Sequence, residues 1–242
     1  MFIMNMSSQE LLKEYLSDHP ELDSFNTRID ASEYVSRLLN KGRKTGKVCF
    51  TKTYTTKHNN TYLNVFVYET KAGSTKHKAK WDWKVYSIGL MQTYKGLSAI
   101  MFFQEVGIAI LFQSHFFKRY KERLSEICDW KTRELLRRAD TLEKIIAMYI
   151  QRNDNVTWVD TKSKYDNRKH VFVPINDGVL LMQWNGKLAQ ANTFVTENML
   201  SEQQQEMLDY SQATMELKKA KDELWQTLCD LMTSSQEENN DN

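Results

Sequence analysis

Five β-rich segments follow one another between Lys47 and about Phe112, and they constrain the fold more than any other feature of the chain. Short turns separate them, including a His-Asn-Asn turn after the first segment and an Ala-Gly-Ser-Thr turn after the second. Consecutive strands joined by short turns pair antiparallel, whereas parallel strands need long crossovers. The sequence therefore predicts an antiparallel meander, and no glycine-rich dinucleotide-binding or phosphate-binding loop accompanies it.

Helical patterns precede these strands. The apolar spacing predicts a short helix over residues 7–18, ended by Pro20, and a second helix over residues 30–40. Together with the meander they form the first of two predicted units, residues 1–113. The apolar stretch over residues 97–112 is too short to span a bilayer and contains two polar residues at its centre, so we expect two strands there and no membrane segment.

The second predicted unit, residues 114–232, begins with a central helix pair over residues 114–127 and 130–150. Three or four strands follow, and they either extend the first sheet or form a second one. A long C-terminal helix over residues 201–232 contains no helix breaker, and the acidic residues 233–242 are predicted to be disordered. The predicted fold class is α+β, with antiparallel sheets, N-terminal helices, a central helix pair and a long C-terminal helix. One continuous domain is an equally open interpretation.

The composition of the chain excludes only a few classes of function. Lys and Arg total 33 and Asp and Glu total 31, so the net charge of +2 leaves any nucleic-acid contact to local clusters. The 3 cysteines are far apart, which argues against a disulfide framework and is typical of a reducing cytoplasm. The 5 histidines show no metal-binding spacing, so we expect neither a metal nor a cofactor. The N-terminus lacks a secretory signal pattern, so the expected location is cytoplasmic.

His115, Arg119 and Arg123 form an HxxxRxxxR run in the first central helix, which Ser114 is expected to cap. Four-residue spacing places the three side chains on one helix face. Imidazole transfers protons near neutral pH, and guanidinium groups hold the non-bridging oxygens of a phosphodiester. The positive end of the helix dipole disfavours a protonated imidazole, which favours a base role for the histidine. The alternative is a solvated helix face whose arginines pair with Glu122, Glu126 or Glu134.

The same run, followed by strands that end in the segment Thr-Phe-Val-Thr, resembles the barnase-EndoU-colicin-RelE-like group of metal-independent ribonucleases, especially its toxin and phage branches. The resemblance covers about residues 113–200, and its motifs are short. The chain departs from the group's pattern in two ways. An extra helix over residues 130–150 separates the motif helix from the strands, and the residues before 113 lie outside the resemblance.

The resemblance implies a role for each matching residue. In this group a helical histidine and arginine, with a hydroxyl residue from the sheet, help the 2′-oxygen of RNA attack its own phosphate. His115 would then be the general base or acid, Arg119 the transition-state clamp and Arg123 a second phosphate contact. The hydroxyl partner would be Thr193 or Thr196.

A second candidate site lies in the β-rich region, where basic and aromatic residues alternate. Basic side chains that hold phosphates beside aromatic rings that stack on bases are typical of single-stranded nucleic-acid binding. The alternative is a solvated strand edge whose lysines discourage aggregation while the tryptophans enter the core. The candidate residues are Lys76, Lys78, Lys80, Trp81, Trp83 and Lys84.

Two functional hypotheses follow. The first is a metal-independent endoribonuclease, toxin-like or phage-associated, that cleaves RNA at the HxxxRxxxR run. The second is a non-catalytic binding or structural protein that contacts nucleic acid or protein through the basic aromatic region and the C-terminal helix. Residues 201–232 are also the expected contact for a homodimer or a protein partner.

Overall fold

A computed structural model of the chain describes one eight-stranded sheet with helices on both faces. The described residues end at 224 and have gaps at 44, 72–79, 95, 104–106, 154–169, 185–186, 203, 207, 211, 214–215, 218–219 and 222. The strands are β1 (Lys47–Thr55), β2 (Thr61–Thr70), β3 (Trp81–Thr93), β4 (Gly96–Phe103), β5 (Ile108–Phe112), β6 (His170–Ile175), β7 (Gly178–Trp184) and β8 (Ala189–Val195). The helices are α1 (Ser8–Asp30), α2 (Glu33–Gly42), α3 (Phe116–Ile127), α4 (Trp130–Arg138) and α5 (Leu142–Arg152).

The strand order is β1-β2-β3-β4-β5-β8-β7-β6. The first five strands form the predicted antiparallel meander, and the last three form a second antiparallel group. The two groups join where β5 pairs with β8 in parallel, with Ile110 opposite Ala189 and Phe112 opposite Ala191. The fold class is α+β, as the sequence predicts, and the later strands extend the first sheet.

Helix α1 does not end at Pro20, so that prediction is wrong. Its start is fixed by a capping box between Ser7 and Glu10. Its apolar face continues past the proline, because Leu11 and Leu22 are both buried against the sheet. Pro20 leaves the carbonyl of Leu16 without its helical partner, but Leu16 is exposed, so water can replace the missing bond.

The sequence predicts one helix over residues 130–150, but the structure has two helices there, so the prediction is wrong in this respect. Ala139 leaves helical geometry with a ψ of 77°, and α4 ends at Arg138. Thr141 then caps α5 by accepting a hydrogen bond from the Lys144 amide at 3.4 Å. The Thr141 cap therefore begins a new helix within a segment whose apolar pattern predicts one continuous helix.

The core has two layers because successive strand residues face opposite sides of the sheet. In β5, Ile110 and Phe112 pack with α3 and α5, whereas Leu111 packs with Leu11 of α1. In the same way Val179 of β7 faces away from α3 and packs with the C-terminal helix. None of the described helices combines the length and apolarity needed to cross a bilayer.

An ion pair between the half-buried Arg152 and the buried Asp177 fixes the β6–β7 turn. The Asp177 carboxylate is almost inaccessible and accepts hydrogen bonds from Arg152 Nη2 at 2.5 Å and Tyr120 Oη at 2.5 Å. Asn153 Nδ2 donates to the same carboxylate at 3.1 Å. Burial, followed by the charge of Asp177, raises the pKa of Tyr120. The network is satisfied within the protein and holds α3 and α5 against the turn.

Replacing Asp177 with alanine should lower the free energy of unfolding by about 3 kcal/mol, because Arg152 and Tyr120 lose their shared acceptor. Urea unfolding followed by circular dichroism measures the change. Asp140→Ala is the matched control, since Asp140 pairs with Lys144 on the surface and should change stability by less than about 1 kcal/mol. Equal losses in the two variants would contradict the structural role of the buried pair.

Candidate functional site

The HxxxRxxxR run lies at the start of α3, immediately after β5. The helix begins at Phe116 and not with a Ser114 cap, because the Phe116 amide already donates to the Gln113 carbonyl at 2.8 Å. His115 occupies the capping position with φ −84° and ψ −11°, and its side chain makes no capping hydrogen bond. The half-buried imidazole therefore stays available for other chemistry.

The helix geometry keeps the three motif residues on one flank. The core-facing residues of α3 are Phe116, Phe117, Tyr120 and Leu124, as the sequence predicts. Arg119 is exposed and Arg123 is half-buried beside this apolar face. His115 and Arg123 are eight residues apart, which corresponds to about 12 Å along the helix axis. We call His115, Arg119 and Arg123 the α3 stripe, since they form an extended row and not a compact triad.

Arg123 connects the stripe to the sheet. Its Nη1 atom donates to Thr193 Oγ1 at 3.0 Å and also to the Phe194 carbonyl. Both acceptors belong to β8. At the other end of α3, Gln113 Nε2 donates to Gln190 Oε1 of the same strand at 2.9 Å. The structure thus brings together one predicted arginine and one predicted threonine from segments far apart in the sequence.

The other candidate hydroxyl, Thr196, has a different environment. It is buried just after β8, and its hydroxyl donates to the Asn198 side chain within the following turn. Its carbonyl accepts the Met199 amide at 3.0 Å. Of the two threonines, Thr193 is the one that contacts the α3 stripe.

The α3 stripe carries positive charge that the described residues do not neutralise. Glu134, one expected partner, instead pairs with Arg137 and Arg138, each at 2.9 Å. Glu122 lies 4.0 Å from Lys118. In the part of the chain that the structure describes, no carboxylate lies within 4.0 Å of Arg119 or Arg123. The solvated-face alternative, in which glutamates pair with these arginines, is therefore not found, and the stripe is suited to an anion.

The basic aromatic region is only partly described, because Lys76 and Lys78 lie outside the described residues. On β3, Trp81 packs against the buried cluster around Phe66 and Tyr68. Trp83 is partly exposed and stacks on Tyr68 with ring centroids 6.2 Å apart. Lys80 and Lys84 are exposed. Both tryptophans thus have aromatic or apolar neighbours within the protein, which leaves less ring surface for bases than the sequence pattern suggests.

A groove of about 720 Å³ opens on the other flank of α3, where α3, α4 and α5 meet. Its apolar floor is formed by Leu97, Leu136, Leu142 and Ile145, and its mainly cationic rim carries Lys118, Lys121, Arg133 and Arg137 together with one carboxylate, Glu122. Two rim residues bond to neutral carbonyls and so keep their charge: Lys121 to Ala139 at 2.7 Å and Arg133 to Ser125 at 3.0 Å. Sequence reasoning missed this groove, although the density of basic residues in α4 was a signal.

A second polar cluster joins α1 to the β1–β2 turn. The fully buried Asp18 carboxylate contacts His58 Nδ1 at 2.7 Å, Asn60 Nδ2 at 2.7 Å and Tyr62 Oη at 2.8 Å. Burial acts to raise the pKa of Asp18, but the hydrogen bonds from Asn60, Tyr62 and His58 outweigh it and lower the pKa. No local pattern predicts this cluster, because Asp18 lies about forty positions from its partners.

Neither a metal site nor a reactive Cys49 thiol is indicated among the described residues. Within the described residues, no group of three His, Cys, Asp or Glu side chains is placed to hold a metal ion. Burial raises the pKa of the Cys49 thiol to about 11, so this residue is protonated and unreactive at neutral pH. The α3 stripe and the neighbouring groove remain as the candidate functional surfaces.

Comparisons with known proteins return no relative. A scan against protein-family models, a search of curated proteins and a search of solved structures each find no match. Functional inference for this chain therefore rests on its own residues and their geometry.

Replacing Asp18 with asparagine should destabilise the protein at pH 7 by on the order of 2 kcal/mol, because three donors lose a charged acceptor. The lowered pKa of Asp18 means that its stabilisation is present above the ordinary aspartate value of 3.8 and is lost as the pH falls through the folded-state pKa. The stability difference between parent and variant should therefore shrink below about pH 4. Urea unfolding at several pH values tests this.

Asp23→Asn is the matched control for that experiment, since Asp23 lies on the exposed side of α1 and pairs with the surface residue His19 at 3.0 Å. Its effect on stability should be small at every pH. A difference for Asp18→Asn that stays constant from pH 7 to about 3 would contradict the assigned pKa direction.

Proposed function

We propose that this protein is a metal-independent endoribonuclease that cleaves RNA phosphodiesters at the α3 stripe. The observation that supports the proposal most is the contact between Arg123 Nη1 and Thr193 Oγ1 at 3.0 Å. The ribonuclease resemblance requires a sheet hydroxyl beside the helical motif, and this contact supplies one. Toxin-like or phage-associated biology belongs to the same proposal and rests on the resemblance alone.

Each residue has a chemical role in this proposal. His115 removes the proton from the ribose 2′-hydroxyl, and the 2′-oxygen forms a bond to the adjacent phosphorus. The bond from phosphorus to the 5′-oxygen breaks, and that oxygen takes a proton from the imidazolium or from water. The products are a 2′,3′-cyclic phosphate and a free 5′-hydroxyl. General acid-base help of this kind contributes roughly 10²–10⁴ in rate.

The electrostatic part of the mechanism falls to the two arginines. Arg119 is exposed, lies one turn from His115, and has no carboxylate partner among the described residues. Its guanidinium can hold the two non-bridging oxygens as negative charge develops on them. Among the described residues, Arg123 bonds to neutral oxygens of β8 and to no carboxylate, so its charge also acts on a bound phosphate while Thr193 fixes its direction.

A second candidate function is RNA or other nucleic-acid binding without cleavage. The observation that favours it is the cationic rim of the groove beside α3, where Lys121 and Arg133 bond to carbonyl oxygens and remain charged. Such a surface attracts phosphates regardless of sequence and loses affinity as salt increases. In this case the α3 stripe would contact the phosphate backbone of the nucleic acid without cleaving it, and His115 would transfer no proton.

Removing the imidazole should abolish most cleavage if the first proposal holds. We expect purified parent protein in EDTA to cut labelled mixed-sequence RNA into fragments with cyclic phosphate ends. His115→Ala and Arg119→Ala should each lower the rate by about 10²-fold or more. The matched controls are His19→Ala and Arg138→Ala, which remove surface residues of the same type that pair with Asp23 and Glu134. These controls should cleave like the parent.

The outcomes separate the two functions. Cleavage lost in both stripe variants but kept in both controls supports the endoribonuclease. Salt-dependent RNA binding by the parent with no cleavage, measured by fluorescence anisotropy, would favour the binding protein. Equal cleavage by all five proteins would indicate a contaminating nuclease and would count against His115 chemistry.

The two candidate threonines give a further prediction. Thr193→Val removes the hydroxyl acceptor of Arg123 while keeping the side-chain shape, so cleavage should fall by about tenfold, equivalent to one hydrogen bond of about 1.4 kcal/mol. Thr196→Val should reduce the rate less, because that hydroxyl bonds within its own turn. Rates are compared per folded molecule after circular dichroism. A larger loss in Thr196→Val would reverse the assignment.

A further inference from the structure

Among the described residues of the C-terminal helix, Leu208 is buried against the sheet, whereas Tyr210, Leu217 and Leu224 are exposed. The described helical residues of this segment lie between 202 and 224. Leu208 is 1% exposed and packs against Val179 and Val195 of the sheet. Tyr210, two residues later, is 60% exposed. Two residues correspond to a rotation of about 200° around the helix, so Tyr210 faces away from the surface that Leu208 contacts.

Large apolar side chains recur on this outward side at a fixed interval. Leu217 is 73% exposed and Leu224 is 63% exposed, and with Tyr210 they are spaced seven residues apart. The sequence repeats the interval once more at Leu231, outside the described residues. A seven-residue apolar repeat is the pattern of a coiled-coil seam, and it forms a row about 21 Å long between Tyr210 and Leu224.

We propose that this helix pairs with the same helix of a second copy of the chain, in antiparallel orientation, through a seam formed by Tyr210, Leu217 and Leu224. A second copy is the favoured occupant because the segment is balanced in charge. Residues 212–224 contain three lysines and three acidic residues, so two such helices meet without net repulsion. The inference does not depend on the proposed nuclease activity.

Lys221 determines the orientation. It lies three residues before Leu224, at the second core position of the heptad, and it is exposed in the single chain. In a parallel pair the two copies of Lys221 would meet in one layer, and their like charges would repel. In an antiparallel pair each lysine lies beside a seam leucine of the partner. Its methylene stem then covers the leucine while the ammonium group reaches water.

Sedimentation velocity of the full chain at a series of concentrations tests the seam. We expect the parent to show a concentration-dependent dimer and the Leu217→Glu/Leu224→Glu variant to be monomeric at every concentration, because glutamates cannot be buried in the seam. The matched control is Ile127→Glu/Leu135→Glu, which changes two exposed apolar residues outside this helix and should dimerise like the parent. Circular dichroism verifies that both variants are folded.

Three sedimentation results would overturn the proposal. A parent that stays monomeric at all concentrations excludes self-association. A dimer that persists in Leu217→Glu/Leu224→Glu places the interface elsewhere, and a dimer lost equally in the control shows nonspecific apolar adhesion. Orientation is tested with Tyr210→Cys in a Cys229→Ser background, compared with Cys229→Ser alone on non-reducing gels, because the introduced thiol could otherwise bond to the native Cys229 of the second copy. An antiparallel pair holds the two introduced thiols more than about 25 Å apart, so an added cross-linked dimer would contradict it.

Discussion

The parallel pairing of β5 with β8 is the contact on which the rest of the structure depends. Three residue pairs, from Ile110 opposite Ala189 to Phe112 opposite Ala191, join a five-stranded meander to a three-stranded group and make one sheet. Because α3 follows β5 directly, this pairing also sets α3 across β8. The small side chains of Ala189 and Ala191 leave room for the aromatic residues of α3, which pack into the largest buried cluster.

The position of α3 explains why a site is available on its flank. One side of the helix is buried in the core. The buried Asp177 pairs with Arg152 and accepts a hydrogen bond from Tyr120, which holds α3 in place. The α3 stripe lies beside this anchored face, where the acceptors of Arg123 in the described part of the chain are neutral oxygens of β8. A cation that is positioned by neutral acceptors keeps its charge for an external anion. A rigid helix with an unneutralised flank is thus the physical basis of the proposed RNA chemistry.

Local patterns predicted much of the fold and part of the candidate site. Alternating apolar residues and short turns were sufficient for the meander, and four-residue spacing was sufficient to place His115, Arg119 and Arg123 on one flank. Local patterns failed where a distant contact or a single cap outweighed them. Burial of Leu22 carries α1 past Pro20, and the Thr141 cap divides the helix predicted over residues 130–150. The choice between Thr193 and Thr196 also required the sheet, because both are hydroxyls at the end of the same strand.

The sequence by itself determined the secondary-structure classes and the spacing of the motif, since both depend on residues within a few positions of one another. Only the tertiary structure decided which strands are neighbours, that Arg123 contacts Thr193, and that Asp18 meets His58 in a buried cluster. These outcomes depend on chain segments tens of residues apart. Their pairing follows from the packing of the whole core, and no local pattern encodes it.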